Sequence, residues 1–206
     1  MKDKEGAKRV KIALAGNPNS GKTTVFNNLT GGRQHVGNWP GVTVEKKEGT
    51  FTYNSHQITV VDLPGIYSLT AYSLDERIAR DYLVREKPDA VVVIIDASNL
   101  ERNLYLVTQL LELGAKVILD LNMMDMVRSR GVEIDTGKLS AVLGIPIIET
   151  VAHRGEGIEE LKEAIAGARA ERGDSFKIDY DHDIEGEIEN LQHAVTLPGY
   201  PPGGLP

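Results

Sequence analysis

Residues 11–30 read KIALAGNPNSGKTTVFNNLT, and this stretch decides the fold. It opens with an apolar, strand-like run and closes with residues that suit a helix. Between them, GNPNSGKT at Gly16 to Thr23 matches GxxxxGK followed by Ser or Thr, in which successive backbone N–H groups can point at bound phosphates. The strand before the loop and the helix after it favour this interpretation over an ordinary glycine-rich turn. The sequence therefore predicts a phosphate-binding loop, or P-loop.

Residues of the P-loop can be given separate roles. Lys22 is expected to supply a point charge to the β- and γ-phosphates, and the hydroxyl of Thr23 is expected to ligate Mg²⁺. The loop backbone and the first turn of the helix complete the phosphate cradle. The predicted nucleotide-binding residues of this segment are Gly16, Asn17, Pro18, Asn19, Ser20, Gly21, Lys22, Thr23 and Thr24.

Strand-like runs alternate with helix-like segments along the rest of the chain. This alternation predicts an α/β fold with a mostly parallel sheet and helices on both faces. GTFTY and ITVVD flank the turn-like residues NSHQ, which predicts a hairpin and one antiparallel edge strand, for six strands in all. Ser73 and Glu76 form a capping-box pattern, so a helix is expected to begin there and to stop before Pro88. Besides GTFTY, the strands are expected at residues 11–16, 58–62, 90–96, 115–122 and 145–150.

A second motif ends the strand at residues 58–62. VVDLPG places Asp62 at the strand end and Gly65 three residues later, the pattern DxxG. A carboxylate in this position can hold Mg²⁺ through water, and the Gly65 N–H can detect a γ-phosphate. DxxG alone is more often a plain turn, but behind a P-loop it becomes a strong signal. We therefore expect both residues in the same nucleotide site.

The segment GNWPGVTVE, residues 37–45, supplies a third candidate. The Thr43 hydroxyl can complete the Mg²⁺ shell when a γ-phosphate is present, which would make residues 33–44 an order–disorder switch. The structural alternative is a β-turn at Pro40–Gly41 followed by a strand. The nucleotide contacts predicted here are Gly41, Val42 and Thr43. The predicted catalytic residues, taken from all three motifs, are Lys22, Thr43 and Gly65.

The end of the strand at residues 115–122 carries a pattern that is typical of guanine recognition. NMMD places Asn122 and Asp125 where a guanine reader has Asn, Lys, any residue and Asp, with Met123 in place of the lysine. Guanine presents two adjacent donors that match an acceptor-only carboxylate, whereas adenine presents an acceptor at that point. A methionine can cover the base as the lysine stem would. The sequence therefore predicts a preference for guanine over adenine.

The loop ETVAHRGEGIEEL, residues 149–161, is expected to close over the base from the other side. A backbone N–H near Ala152 would reach the guanine O6. Many guanine readers have Ser-Ala here, and this chain has Val151 and Ala152. This motif is the least specific of the set, because a loop followed by a helix does not by itself indicate a nucleotide site.

The composition of the 206 residues narrows the class of protein further. A formal net charge of -7 disfavours a broad phosphate-backbone footprint, so no nucleic-acid partner is expected. There is no cysteine to form a disulfide framework or a thiolate metal site, and a cytosolic location fits. The longest aliphatic stretch is too short to span a bilayer, and the first ten residues lack the apolar centre of a signal peptide. We therefore expect a soluble chain.

Residues 1–170 are expected to form one domain, because the pattern changes beyond them. Residues 171–206 are expected to begin a helical element and to end in a Pro/Gly-rich tail, which is a linker, a frayed terminus or a truncation point. The acidic stretch around His182 is interpreted as a solvated helix face rather than an iron site, because its spacing presents no three convergent ligands. The apolar residues of the short helix are Ile184, Ile188 and Leu191.

Together these motifs resemble a Ras-like P-loop GTPase. GNPNSGKT, GNWPGVTVE, DLPGIYSL, ERNLYLVTQL and NMMD resemble more closely the N-terminal G domain of FeoB-type ferrous iron transporters, roughly over residues 10–170. GNWPGVT is the distinctive element, and the family tolerates methionine at the position of Met123. The resemblance implies GTP, GDP and Mg²⁺ as ligands. It also implies a cytoplasmic regulatory domain attached to a transmembrane iron permease of the inner cell membrane, with residues 171–206 resembling only the first helix of a helical spacer.

Two residues bear on the rate of hydrolysis. Ile66 follows Gly65, where Ras-like enzymes carry a water-orienting glutamine, so intrinsic hydrolysis is expected to be slow. Asn19 matches the position that helps to bind K⁺ in cation-activated relatives, where a fixed positive charge can partly replace an arginine finger. The alternative for Asn19 is plain turn chemistry.

Other classes of protein share some of these motifs. An RNA- or ribosome-associated assembly GTPase usually brings a basic companion domain, and the acidic balance of this chain speaks against it. An ATP-using P-loop kinase or ATPase is disfavoured by Asp125. The oligomeric state stays open, with a homo-oligomer as one alternative.

Overall fold

A mixed β-sheet lies at the centre of the protein, which was analysed as a computed structural model describing residues 8–168 and 184–187. Its strands are β1 at Lys8–Gly16, β2 at Gln34–Asn38, β3 at Glu45–Tyr53, β4 at His56–Asp62, β5 at Ala90–Asp96, β6 at Val117–Asn122 and β7 at Ile147–Glu149. They form one sheet in the order β2-β3-β4-β1-β5-β6-β7. This order places β1, which leads into the P-loop, in the middle of the sheet.

Helices connect the strands. They are α1 at Lys22–Thr30, α2 at Leu74–Glu86, α3 at Leu100–Glu112, α4 at Met124–Ser129, α5 at Thr136–Leu143 and α6 at Ile158–Gly167. Residues 184–187 are also helical, whereas the remainder of the predicted element at 171–206, with His182, Ile188 and Leu191, lies outside the described residues. Across the described part of the chain, no helix has both the length and the apolar character needed to cross a bilayer.

The strand pairing confirms a mostly parallel sheet with an antiparallel edge. β1 lies parallel to β4 and β5, β5 to β6, and β6 to β7, whereas β3 is antiparallel to both β2 and β4. The sheet has seven strands rather than the six predicted, because residues 34–38 add a second antiparallel strand. All five residues of β2 are exposed, so its sequence QHVGN carries no apolar alternation that would have marked it.

The apolar core is divided between the two faces of the sheet. On one face, Leu106 and Leu110 of α3 are fully buried against alternate residues of the central strands. On the other face, Phe26 of α1 and Leu161 of α6 are fully buried against the remaining residues of the same strands. β5 is buried along AVVVII because both faces of a parallel strand are covered.

The hairpin and the capped helix that were predicted from local sequence patterns are both present in the structure. The hairpin joins β3 to β4 through Asn54 and Ser55, whose φ angles of 43° and 65° suit a tight two-residue turn. Ser73 caps α2 with both bonds of the capping box, since its side chain accepts from the Glu76 N–H and the Glu76 carboxylate accepts from the Ser73 N–H. The helix ends at Glu86, before Pro88 as predicted.

Helix α1 approaches the sheet closely at Gly49 of β3. A Cβ on Gly49 would overlap Cγ2 of Thr30 and lie 3.0 Å from Cζ of Phe26. The glycine therefore allows α1 to pack directly on the strand, which fixes the helix that follows the P-loop.

Candidate functional site

The P-loop lies at the carboxyl end of β1, where the strand leads into α1. Its backbone turns tightly, with φ angles of 65° at Asn19 and 89° at Gly21. The N–H of Ser20 donates to the carbonyl of Asn17 at 3.2 Å. α1 begins immediately afterwards at Lys22, and the first N–H groups of a helix have no partner within it. The loop and helix start therefore suit an anion.

Two side chains of the P-loop carry buried polar atoms that have no hydrogen-bond partner within the described ranges. These are both amide atoms of Asn17 and Oγ of Ser20. The residues are only 4% and 0% exposed, and buried polar groups in proteins are almost always hydrogen-bonded. Together with the turned backbone, these atoms fit a loop that binds a polar ligand.

The ammonium group of Lys22 and the carboxylate of Asp62 form an ion pair across the site. Both side chains are only 11% exposed, so neither charge is well solvated. The pair forms because Asp62 ends β4, Lys22 opens α1, and β4 lies directly beside β1. The Asp62 carboxylate and the nearby Thr23 hydroxyl are oxygen ligands of the type that Mg²⁺ prefers. Among the residues that the structure describes, this site included, no group of three or more His, Asp and Glu side chains could hold a metal ion.

The turn after β4 lies against the P-loop. A Cβ on Gly65 would lie 3.4 Å from Cα of Pro18, and the N–H of Ile66 donates to the carbonyl of Gly16 at 3.1 Å. The structure thus brings DxxG and the P-loop into contact. The side chain of Ile66 is 2% exposed and packs in the core, so the residue that follows Gly65 offers no group that could orient water.

The segment at residues 33–44 forms β2 and then a turn that reaches towards α2. Trp39 is buried and meets the ring of Tyr82 edge-on, with 5.4 Å between ring centroids. The Trp39 N–H donates to the carbonyl of Val44 at 2.9 Å, which closes the turn around Thr43. Thr43 itself is exposed, and the structure gives it no hydrogen bond to Thr23 or Asp62. Its predicted role in the Mg²⁺ shell, with Gly41 and Val42 beside it, stays a prediction.

At the other end of the site, the side-chain amide of Asn122 connects three segments. Its Nδ2 donates to the carbonyl of Ser20 in the P-loop at 2.9 Å. Its Oδ1 accepts from the backbone N–H of Ala152 at 3.0 Å and lies 3.2 Å from Oγ1 of Thr150. Asn122 therefore joins the P-loop, the end of β6 and the loop after β7 into one unit.

Ala152 is held from both sides. Its carbonyl accepts from Nδ2 of Asn28 in α1 at 2.6 Å, and its N–H donates to Asn122. The N–H that the sequence predicts to face guanine O6 is therefore engaged within the protein. The neighbouring N–H of Val151 donates to the carbonyl of Glu156 at 3.1 Å. The assignment of Val151 and Ala152 to the base site stays a prediction.

Asp125 lies in the first turn of α4, beside His153 and Arg154 of the loop after β7. Its Oδ2 is 3.7 Å from Nε2 of His153 and 3.6 Å from Nη2 of Arg154. Met123 precedes the helix with a φ of 63°, and its Cε lies 3.9 Å from where a Cβ on Gly21 would be. The methionine thus lies beside the P-loop, and its predicted role in covering the base stays a prediction.

Three residues of the site were not found from the sequence, namely Asn28, Asp120 and Thr150. Asp120 is fully buried in β6, and its Oδ1 accepts from Oγ1 of Thr150 at 2.6 Å. Burial raises the pKa of Asp120 to about 7, while the hydrogen bond from Thr150 lowers it. A charged residue inside the apolar run VILDLN was the available signal for Asp120.

The fold and the site define a P-loop protein of the Ras-like GTPase class. The family described as Ferrous iron transport protein B matches residues 10–165 of the chain. The chain is also 51% identical over 192 residues to the Fe(2+) transporter FeoB of Escherichia coli (strain K12), covering 91% of this chain and 25% of the relative. The chain therefore belongs to the FeoB family of ferrous iron transport proteins, and it spans about a quarter of the length of the curated relatives it matches.

Solved structures agree with this assignment. The cytosolic domain of the T. maritima FeoB iron transporter has been solved in a GDP form and a GMPPNP form. The GMPPNP form has a TM-score of 0.85 and 48% identity, covering 89% of this chain and 73% of that one. The FeoB G domain from Methanococcus jannaschii has a TM-score of 0.72 and 54% identity, covering 80% of this chain and 99% of that one. The described fold is thus that of a FeoB G domain.

Proposed function

We propose that the chain binds GTP and GDP and hydrolyses GTP slowly, as a regulatory domain of a ferrous iron transporter. The observation that carries this proposal is the 2.9 Å bond from Asn122 to the carbonyl of Ser20. This bond supports placing the predicted base-recognition motif and the P-loop in one site. The GDP and GMPPNP forms of the T. maritima relative support the same ligand class.

Lys22 and Asp62 are the central charges at the phosphate end. Thr23, Asp62 and Thr43 would hold Mg²⁺, which would supply positive charge to neutralise the phosphates of a bound nucleotide. Lys22 then leaves Asp62 and turns to the β- and γ-phosphates. The Lys22–Asp62 ion pair would thereby be replaced by a Lys22–phosphate pair and an Asp62–Mg²⁺ pair, so that neither charge is left unpaired in the site.

Specificity for guanine is assigned to Asp125. Its carboxylate accepts two hydrogen bonds from guanine, while adenine would place an acceptor against it. His153 and Arg154 occupy the neighbourhood of this carboxylate in the structure, at 3.7 and 3.6 Å. They are more than half exposed and can move to solvent when the base enters.

Catalysis in this proposal uses positioning and charge rather than a water-orienting side chain. Gly65 would sense the γ-phosphate, which is supported by its position beside Pro18 of the P-loop, whereas the side chain of Ile66 is buried in the core. This supports slow intrinsic hydrolysis. A K⁺ ion held beside the phosphates, with Asn19 as a ligand, would supply positive charge near the bond that breaks. The exposed side chain and φ of 65° at Asn19 leave its amide free to take that role.

The remaining three quarters of the relatives' length supports a larger protein around this domain. We propose that the domain lies on the cytoplasmic side of the cell membrane, as the solved cytosolic domain of the T. maritima transporter does. Its partner would be the transmembrane iron-permease part of the full-length protein, joined through a helical spacer that begins within residues 171–206. Nucleotide exchange and hydrolysis would then regulate iron movement.

Base selectivity is tested by competition. Labelled GDP bound to the protein is challenged with GTP and with ATP, for wild type and Asp125→Ala, and Asp81→Ala on the exposed side of α2 serves as the matched control. Wild type and Asp81→Ala should favour GTP by about 100-fold or more, and Asp125→Ala should lose most of that ratio. Equal displacement by ATP and GTP in wild type would show that the base site is wrongly assigned.

Cation dependence is tested by steady-state hydrolysis in K⁺ and in Na⁺. K⁺ should give the higher kcat, and Asn19→Ala should remove most of the difference while leaving GDP affinity nearly unchanged. Asn27→Ala, on the exposed side of α1, is the control and should keep the full stimulation. If wild type turns over equally in both salts, the cation role is rejected; if stimulation survives Asn19→Ala, only the ligand assignment is rejected.

A further inference from the structure

Asp120 lies at the centre of β6, opposite Ile94 of β5 and Ile148 of β7. Side chains alternate along a strand, so Asp120 faces the same side as Ile118 and Asn122, where α6 packs on the sheet. Among the described residues it is the one acidic residue with less than a tenth of its surface exposed. An acidic group in such a place is costly unless it is neutral or well hydrogen-bonded.

The hydrogen bonding of Asp120 is incomplete. Its Oδ1 accepts from Oγ1 of Thr150 at 2.6 Å, whereas its Oδ2 is buried with no partner in the part of the chain that the structure describes. Oγ1 of Thr150 also lies 3.2 Å from Oδ1 of Asn122. A hydroxyl group has a single proton, so Thr150 can donate to only one of these two acceptors at a time.

Which acceptor receives that proton depends on the charge of Asp120. When Asp120 is ionised, the stronger charge-assisted bond draws the Thr150 proton to the carboxylate. Oδ1 of Asn122 then keeps only the N–H of Ala152 as a donor. When Asp120 is protonated, its own O–H can donate to Thr150, which frees the Thr150 proton for Asn122. The amide of Asn122 is then held by a further hydrogen bond.

We propose that Asp120 and Thr150 act as positioning residues for the guanine-nucleotide site, so that nucleotide affinity falls when Asp120 loses its proton and the hold on Asn122 loosens. This inference rests on the proposed function, because Asn122 matters to affinity only if it forms part of the nucleotide site. Burial raises the pKa of Asp120 to about 7, which places the change near neutral pH.

The charged groups of the surrounding elements are engaged elsewhere. Asp96 at the end of β5 accepts from the Ser98 N–H, and Glu149 of β7 pairs with Arg128. On the helices that face β6, Lys162 of α6 pairs with Glu159 and Lys22 of α1 pairs with Asp62. Beyond β6, Asp125 lies beside His153 and Arg154. Burial therefore raises the pKa of Asp120, and the hydrogen bond from Thr150 opposes this by lowering it.

The test measures the affinity for labelled GDP from pH 5.5 to 8.5 in excess Mg²⁺. Wild type is compared with Asp120→Asn, and with Asp81→Asn as a matched control that makes the same chemical change on the surface of α2. The ratio of dissociation constants, wild type over Asp120→Asn, should rise about fivefold from low to high pH, with its midpoint near the pKa of Asp120. Titration of the nucleotide and the pH dependence of Mg²⁺ binding are common to all variants and cancel in this ratio.

A second variant, Thr150→Val, breaks the connection and leaves the carboxyl group in place. Asp120→Asn should remain near the low-pH affinity of wild type throughout, and Thr150→Val near its high-pH affinity. Circular dichroism shows whether each variant folds. If Asp120→Asn does not fold, the inference is tested by whether the GDP affinity of Thr150→Val is independent of pH. Profiles of either variant that run parallel to wild type would overturn the inference. Failure of wild type to bind GDP at any pH would instead overturn the proposed function.

Discussion

Nδ2 of Asn122 donates to the carbonyl of Ser20 at 2.9 Å, joining two residues that are 102 positions apart in the sequence. The approach depends on Gly21, since a Cβ there would overlap Nδ2 of Asn122. Gly21 thus allows both the left-handed turn of the P-loop and its close contact with the end of β6. The protein's own groups therefore connect the two ends of the site.

Replacing Asn122 by Ala should weaken both folding and binding. The change leaves the Ser20 carbonyl and the Ala152 N–H without their partner, and the residue is only 3% exposed. We expect a loss of about 2–3 kcal/mol in the free energy of unfolding without nucleotide, and at least a roughly tenfold loss of GDP affinity. Urea denaturation and GDP titration measure the two effects.

Asn103→Ala is the matched control for this variant. Asn103 is also buried and donates to the carbonyls of Asn99 and Asp96, at 2.7 and 3.3 Å, and it belongs to α3, which packs on the other face of the sheet from α1. It should lose comparable stability while binding GDP as wild type does. Equal loss of GDP affinity in the two variants would mean that the effect of Asn122 is only structural.

Replacing Gly49 by Ala should destabilise the fold by about 2 kcal/mol, because the new methyl group would overlap Cγ2 of Thr30. Thr30→Ser removes that methyl group and keeps the hydroxyl that donates to the carbonyl of Phe26 at 2.9 Å. The double variant should therefore be more stable than Gly49→Ala alone. Gly37→Ala on β2, where a Cβ has open space, should change stability by less than about 0.5 kcal/mol. A double variant no more stable than Gly49→Ala would contradict the packing at this point.

Trp39 should report the nucleotide state by its fluorescence. It is the only tryptophan, lies four residues before Thr43 and packs against Tyr82 of α2, so movement of either segment changes its surroundings. Lys46 lies 5.1 Å from the same ring and adds a nearby charge that such movement would displace. Emission should differ between the GDP complex and the complex with a non-hydrolysable GTP analogue. Identical spectra, with both ligands shown to be bound, would count against a mobile segment at residues 33–44.

Asp120 should make stability depend on pH. Its pKa is about 7 in the folded state against an ordinary value of 3.8, so its favourable contribution is complete below pH 3.8 and is lost as the pH rises through 7. Asp120→Asn removes this dependence, and its stabilising effect relative to wild type should be about 2 kcal/mol larger at pH 8 than at pH 5.5. Denaturation of the nucleotide-free protein at the two pH values measures the difference. An equal effect at both would contradict a carboxyl group that is neutral in the folded state.

The elements that could be predicted from the sequence are those with local causes. The strand at 90–96 was predicted with its observed bounds, because a run of six buried apolar residues before Asp96 has no other common explanation. The capping box at Ser73 and the hairpin turn at Asn54 were found because capping and turn residues act on their own neighbours. The predicted site residues also come from short local motifs, and their contacts with a nucleotide stay predictions.

The remaining features depend on contacts between distant segments. β2 forms because β3 offers it a paired edge, and nothing in QHVGN alone favours a strand. Lys22 and Asp62 were each assigned to the nucleotide, and their pairing with each other follows only from the adjacency of β1 and β4. The bond between Thr150 and Asp120 spans 30 positions, so neither residue signals the other locally.

The pairing of Lys22 with Asp62 also bears on how the fold tolerates two poorly solvated charges. A poorly solvated charge without a partner destabilises a protein strongly. Here each charge is the partner of the other, so the two compensate across the site. The fold itself therefore supplies the neutralisation of both groups, through the adjacency of β1 and β4.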